Sequence, residues 1–377
     1  MTSASLIIAS AAPDCDAVLE ADLCFHMGER DWYNFRAMEQ VCTREFPHKG
    51  CAAFERSRFL GGGFYRRFCK IEGSEVLCYA PRPLDRMHLL VLIAIQRDLP
   101  LMESGPTYFF DLWDRRYLDY GSFFETNVPI PVFQYHRYSG RAAIINPLPH
   151  YHEYPSQNNP PLVDRAPFRA KKSRMFWRGR LHGTVIIGDE KRDLLEFCVD
   201  PQSSEADRLA ALRQSLRVRL CEAASQTDAL DAGLTINWAN PIWSGSGPVP
   251  MLEALRREKI SPADQLENKY LLALDGYDGP SVHYWAHATN SLVLRQESPW
   301  QMFGDSYFAP WVHYVPFSSD GSDLFEKFEW CERNQTECER MVENAKRAWS
   351  ILFDPGYQCE RRKAVFARYY EWYKDSL

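Results

Sequence analysis

A chain of 377 residues, 45% hydrophobic and 25% charged, has the composition of an ordinary soluble globular protein, and its length favours two domains over one core. No apolar run approaches the ~18 residues that a membrane-spanning helix requires. The net charge of −6 argues against a general nucleic-acid binder, which needs an excess of Lys and Arg somewhere.

The start, "MTSASLIIASAAPDCD", has a short apolar patch but no basic region before it, so it does not read as a signal peptide and a cytoplasmic protein is expected. Eleven cysteines cannot all pair within the chain, and without a secretory signal most are expected as thiols. Cys15, Cys24, Cys42, Cys51, Cys69 and Cys78 alternate in spacing by nine and eighteen residues. The intervening sequences share little and no CxxC is present, so the spacing reads as coincidence and not as a metal site or repeat. The only literal D-x-D, Asp14-Cys15-Asp16, lies in a proline-containing loop, and no metal site is expected there.

In chain order, "DWYNFRAMEQVCTREF" reads as helical and is followed by the apolar run "MHLLVLIAIQ". "TYFFDLWD", residues 107 to 114, reads as a buried strand ending in acid. Asp111 and Asp114 there are candidate bases, because a carboxylate at the mouth of a cleft can take a proton from a hydroxyl. Two short apolar runs follow, "PIPVFQYHR" and "AAIINPLP". The stretch "HYHEYPSQNNPPLVDRAP" has no periodicity and is rich in Pro and Asn, so a domain boundary is expected near residues 155 to 168.

"SRMFWRGRLHG" then reads as a strand that places Arg178, Gly179 and Arg180 at its end, with His182 close behind. Arginine at such an edge can grip a pyrophosphate with two hydrogen bonds; a solvated basic turn or an interdomain salt bridge is the alternative. Residues 165 to 180 hold seven basic residues and no acidic one. With Phe168, Phe176 and Trp177 interleaved, this segment is also the one place that could serve as a single-stranded nucleic-acid platform. "SSEADRLAALRQSLRVRLCEAAS" and "VPMLEALRREK" read as helices.

In "KYLLALDGYDGPSVHYWAHATNSLVL", residues 270 to 274 read as a buried strand, 275 to 279 as a turn, 280 to about 289 as a helix opened by proline, and 291 to 294 as the next strand. At the carboxyl edge of a parallel sheet such a corner is where ligands bind, and Gly276 and Gly279 would let a phosphate approach the backbone. Any strand-to-helix turn, however, uses Gly and Asp for its backbone angles. "WVHYVPF" offers Trp311, His313 and Tyr314 either as pocket lining or as core aromatics of a short strand. Helices at 3.6 periodicity follow, and "CERRKAVFARYYEWYKDSL" reads as a closing helix. Strands alternating with helices indicate mainly parallel α/β sheets.

"PIPVFQYHR", "FWRGRLHG", "KYLLALDGYDGPS", "NSLVL" and "PWVHYVPF" ahead of "DLFEKFEW", in this order and spacing, resemble the family 90 glycosyltransferases. The likeness runs from about residue 106 to 350 and leaves the first ~100 residues uncovered. It implies a GT-B architecture, two Rossmann-like domains with parallel sheets facing a cleft. The divisions expected are 1–160 on the acceptor side, 161–350 for the nucleotide sugar and 351–377 as the closing helix. It also implies a UDP-sugar donor, inversion at the sugar carbon, a glycan or lipid-linked glycan acceptor such as a lipopolysaccharide-type one, and neither metal nor other cofactor.

By the same resemblance Arg178 and Gly179 match the family's R-G, Ser281 matches the serine opening the diphosphate-binding helix, and Asp114 matches the base. Asp275, Gly276, Gly279 and His283 complete the expected donor corner. Two departures stand out. The family's arginine two residues after the serine is His283 here, leaving the diphosphate charge to Arg178, Arg180 or His182. The proline usual two positions after the base is missing, which keeps Asp111 as a rival to Asp114. A member that binds a UDP-sugar without transferring it is the alternative within the same fold.

Overall fold

The structure, a computed structural model, describes residues 15–38, 40, 51–58, 64–72, 75–79, 86–112, 128–139, 141–147, 152–156, 159–239, 249–277 and 279–377. The chain divides into two compact units. One gathers Met1–Pro161, Pro299–Ala309 and Arg347–Leu377, and the other Leu162–Ser298 and Pro310–Lys346. The closing helix therefore belongs with the first unit, as does the short return at 299–309.

The first unit is built on a six-stranded sheet. Its strands are β1 (Cys51–Arg58), β2 (Phe64–Glu72), β3 (Glu75–Tyr79), β4 (Tyr108–Asp111), β5 (Val132–Gln134) and β7 (Ile144–Ile145), in the order β3-β2-β1-β4-β5-β7. β1, β4, β5 and β7 run parallel, but β2 and β3 form an antiparallel meander on β1. The sheet is thus mainly parallel, and its antiparallel edge follows from connection length: hairpin-linked strands need no crossover helix and so pair antiparallel. A small separate pair joins β6 (His136–Tyr138) to β14 (Trp300–Met302).

All four residues of β4 are buried, and Tyr108, Phe109 and Phe133 join Val365, Phe366, Tyr369 and Tyr373 in one core. Those last four come from the long helix Pro355–Lys374, which starts cleanly because Asp354 accepts a hydrogen bond from the Tyr357 amide and Pro355 needs none. Beneath this core lies a buried polar hub. Asp22, on α1 (Cys15–Met27), accepts from Ser306 Oγ at 2.6 Å and from Arg361 Nε at 2.9 Å, and pairs with His26 Nδ1 at 2.7 Å. Burial opposes the Asp22 charge, yet His26 and Arg361 outweigh it and hold the carboxyl well below its usual range.

The second unit carries five parallel strands: β8 (Lys172–Gly179), β11 (Leu230–Leu234), β12 (Asn268–Ala273), β13 (Leu292–Gln296) and β15 (Val315–Phe317). Their order is β11-β8-β12-β13-β15. β12 is buried along its whole length, as a strand covered on both faces must be. Its alternation shows the two faces directly: Tyr270, Leu272 and Leu274 enter one core cluster, Leu271 and Ala273 the other. Five parallel strands are compatible with the Rossmann-like fold expected from the sequence.

Two local expectations are corrected. The single helix read over "SSEADRLAALRQSLRVRLCEAAS" is two, Glu205–Gln214 and Leu216–Ala223, parted by Ser215 in an extended conformation. The helix read over residues 280 to 289 spans only Val282–Ala286. A hairpin of β9 (Thr184–Ile187) and β10 (Glu190–Asp193), turning through Gly188 at φ +59°, has no counterpart in the sequence reading. Among the described residues no helix is long and apolar enough to cross a membrane.

Candidate functional site

Numbered in chain order, the five parallel strands lie 2-1-3-4-5, so the strand order reverses between β8 and β12. In open α/β sheets ligands bind at such a reversal, outside the carboxyl ends of the two strands. The two motifs singled out in the sequence arrive there together: Arg178 and Gly179 end β8 with Arg180 to His182 following, and Asp275 to Tyr277 and Gly279 to Ser281 follow β12.

The loops touch in three ways. His182 stacks on Tyr277 with ring centroids 4.8 Å apart and planes 24° from parallel. A Cβ placed on Gly276 would lie 3.5 Å from His182 Cβ and 3.0 Å from Arg217 Nη2, so the residue there must be small. Arg217 itself donates from Nη1 to the Arg180 carbonyl at 2.7 Å, from Nη2 to the Leu274 carbonyl at 2.9 Å and from Nε to the Asp275 carbonyl at 2.9 Å. Asp275 is further held through its amide, which donates to Gln296 Oε1 at the end of β13.

The roles of the two glycine-flanking arginines separate. Arg178 is turned along the sheet: Nη2 donates to Asp231 Oδ1 at 2.6 Å, Nη1 to the Asp231 and Trp177 carbonyls, and its guanidinium lies over the Phe176 ring. It ties β8 to β11. Arg180 is exposed and, among the described residues, its guanidinium has no partner. Gly179 has a packing reason of its own, since a Cβ there would meet Trp177 Cζ2 at 2.4 Å. The indole that fills this space also lies under the Arg217 guanidinium, 5.2 Å from centroid to Cζ.

Ser281 caps Val282–Ala286, and its side chain makes no capping bond. Gly279 is half-buried beside it. His283 does not join the loops. It is fully buried, with Nε2 accepting from Arg295 Nη1 at 3.0 Å and Nδ1 3.1 Å from His287 Nε2. Because arginine only donates, His283 carries its proton on Nδ1 and donates onward to His287. Burial first, then His283, His313 and Arg295, hold His287 well below its ordinary pKa. His283 is thus packed among core residues, away from the loops with which the sequence grouped it. His313 is buried in the same group, and Tyr314 packs on His283. Trp311 instead stands exposed at φ +62°, edge-on to Trp330.

The basic segment is mostly neutralised. Arg169 pairs with Glu339, Lys171 with Asp164, Lys172 with Glu267, and Arg174 and Arg178 with Asp231. A free polyanion-binding strip is not what these residues form. In the first unit Asp111 is buried at the carboxyl end of β4, between β1 and β5. Asp114 and Asp14 lie outside the described residues.

The sequence matches the description Glycosyl transferase family 90 over residues 108–350. The chain belongs to that family. As a family 90 glycosyltransferase it is 27% identical over 330 residues to the O-glucosyltransferase LpsA of Dichelobacter nodosus, covering 85% of this chain and 83% of that protein. It is 33% identical over 92 residues to protein O-glucosyltransferase 3 of Rattus norvegicus, 24% of this chain and 18% of that protein. It is 32% identical over 149 residues to the uncharacterized protein 035R of Invertebrate iridescent virus 3, whose length it spans by only 13%. Glycosyl transfer is the activity class these relations support. Arg217 and Gln296, which organise these loops, escaped the sequence reading: Arg217 sits in a stretch read only as helix, and Gln296 lies two residues beyond the strand read at 291 to 294.

Proposed function

We propose that the chain is an inverting, metal-independent GT-B enzyme that moves a hexose or pentose from a UDP-sugar to a hydroxyl of a glycan acceptor. The observation that carries the reading is the convergence of the two loops at the strand-order reversal, with Arg180 and the Ser281 hydroxyl left unengaged there. A diphosphate meeting that edge finds a guanidinium, a hydroxyl and glycine backbone, the groups that stabilise a leaving UDP when no cation does so. Arg180 takes the charge that the missing arginine at position 283 would have supplied.

In the transfer step a carboxylate, Asp114 by resemblance or Asp111 as its rival, removes the acceptor proton. The acceptor oxygen bonds to the sugar carbon, and the bond to phosphate breaks with its electron pair leaving on UDP. The name of the Dichelobacter nodosus relative supports a glucosyl donor and a lipopolysaccharide-type acceptor, which would suit a cytoplasmic enzyme.

Calorimetric titration with UDP, UDP-glucose and UDP-xylose in EDTA tests the donor site. Micromolar binding that falls at least tenfold in Arg180→Ala is the expected result. Absence of binding by every ligand removes the donor reading. Turnover lost in Asp114→Asn but kept in Asp111→Asn assigns the base, and the reverse pattern transfers that role to Asp111.

A further inference from the structure

Arg217 sits on the helix Leu216–Ala223, outside both loop motifs, yet its three hydrogen bonds reach carbonyls at both strand ends: Arg180 after β8, and Leu274 and Asp275 after β12. A trans peptide is planar, with its N–H opposed to its C=O. A carbonyl fixed towards Arg217 therefore turns the next amide away from it. For the Leu274–Asp275 peptide this is visible, because the Asp275 amide donates to Gln296 on the far side. For the Arg180–Leu181 and Asp275–Gly276 peptides the outward amides belong to Leu181 and Gly276, and neither makes a backbone hydrogen bond among the described residues. Oriented, unpaired amides beside a free guanidinium form an anion-binding arrangement.

Resting on the UDP-sugar reading, we propose that Arg217 is a positioning residue for the donor. It locks the peptide planes of both loops so that the Leu181 and Gly276 amides face the diphosphate. It is itself seated by Trp177, which Gly179 admits.

The test uses the full chain with UDP as the probe, followed by donor kinetics. Arg217→Met is expected to weaken UDP binding tenfold or more and to raise the donor KM by a similar factor. kcat stays within a few-fold, and Arg217→Lys restores part of the affinity. Gly276→Ala leaves the guanidinium in place but crowds it at 3.0 Å, and is expected to raise the donor KM in the same way. It reads the proposal independently should Arg217→Met fail to fold. If the wild-type chain binds UDP and both Arg217→Met and Gly276→Ala bind it equally well, the positioning role is overturned while the donor site stands. If the wild-type chain does not bind UDP, the donor reading itself fails and the role of Arg217 falls with it.

Discussion

Replacing Asp22 by asparagine exchanges one oxygen for an amide in a place where every neighbour donates. Asp22 Oδ1 accepts from Ser306 and pairs with His26, so the remaining carbonyl is kept there by two contacts. The new amide then falls where Oδ2 stood, 2.9 Å from Arg361 Nε, donor against donor. Arg361 is 1% exposed and Asp22 0%, so water cannot relieve the guanidinium. Breaking a buried ion pair from one side costs about 3–5 kcal/mol, a large part of the ~5–15 kcal/mol that holds a domain together.

The pairing partner supplies the control. In Asp22→Asn/Arg361→Met the stranded charge is gone, and part of the loss should return, because a buried amide without a partner costs less than a buried uncompensated charge. Hydrogen exchange in urea, read on peptides from 15–27 and 355–374, reports this unit alone, since a chain of two units need not unfold in one step. A single variant within about 1 kcal/mol of wild type, or a double variant as damaged as the two singles added together, would refute the reasoning.

Other outcomes follow from the second unit. His287 has a folded pKa well below 6.5, set by burial and then by His283, His313 and Arg295. Below about pH 6.5 the unfolded chain binds a proton that the folded one refuses, so stability falls as pH falls, by ~1.4 kcal/mol per pH unit per group. Urea midpoints of this unit between pH 7.5 and 5.0 should drop, and His287→Gln should flatten the drop by one proton; an unchanged slope would count against it. Gly179→Ala drives a Cβ to 2.4 Å from the rigid indole of Trp177, an overpacking worth ~1–3 kcal/mol. It should lower both the melting temperature and UDP affinity, whereas wild-type values in both assays would show that Trp177 can move aside.

Much of the second unit was legible because its strands are short apolar runs between glycine and proline punctuation. β8, β12, β13 and β15 fall where "MFWRG", "KYLLAL", "NSLVL" and "YVPF" mark them. The roles within the site were less legible. Arg178 and Arg180 flank the same glycine, and it is the position of Asp231 on the neighbouring strand that engages Arg178. His283 follows the serine at the spacing of a ligand, but Arg295 and His287, 12 and four residues onward, draw it into the core. Arg217 lies in a helix whose pattern reports only amphipathicity, and its partners are backbone carbonyls, which leave no trace in sequence. The antiparallel β1, β2 and β3 alternate too weakly for a period-2 pattern to stand out.

The order in which the chain is written is not the order in which its parts can be finished. The second unit has all its residues once Lys346 is made, while the first still lacks Arg347–Leu377. Yet it is from this stretch that Val365, Phe366, Tyr369 and Tyr373 pack with Tyr108 and Phe133. At ribosomal speeds of roughly 5–20 residues per second, the earlier-made sheet waits about 10–40 seconds for its apolar cover, the last few of them with its neighbour already complete. A chaperone acting on the nascent polypeptide would find its substrate in the part synthesised first. A stop codon near residue 350 would spare the second unit and leave the first as the species that aggregates.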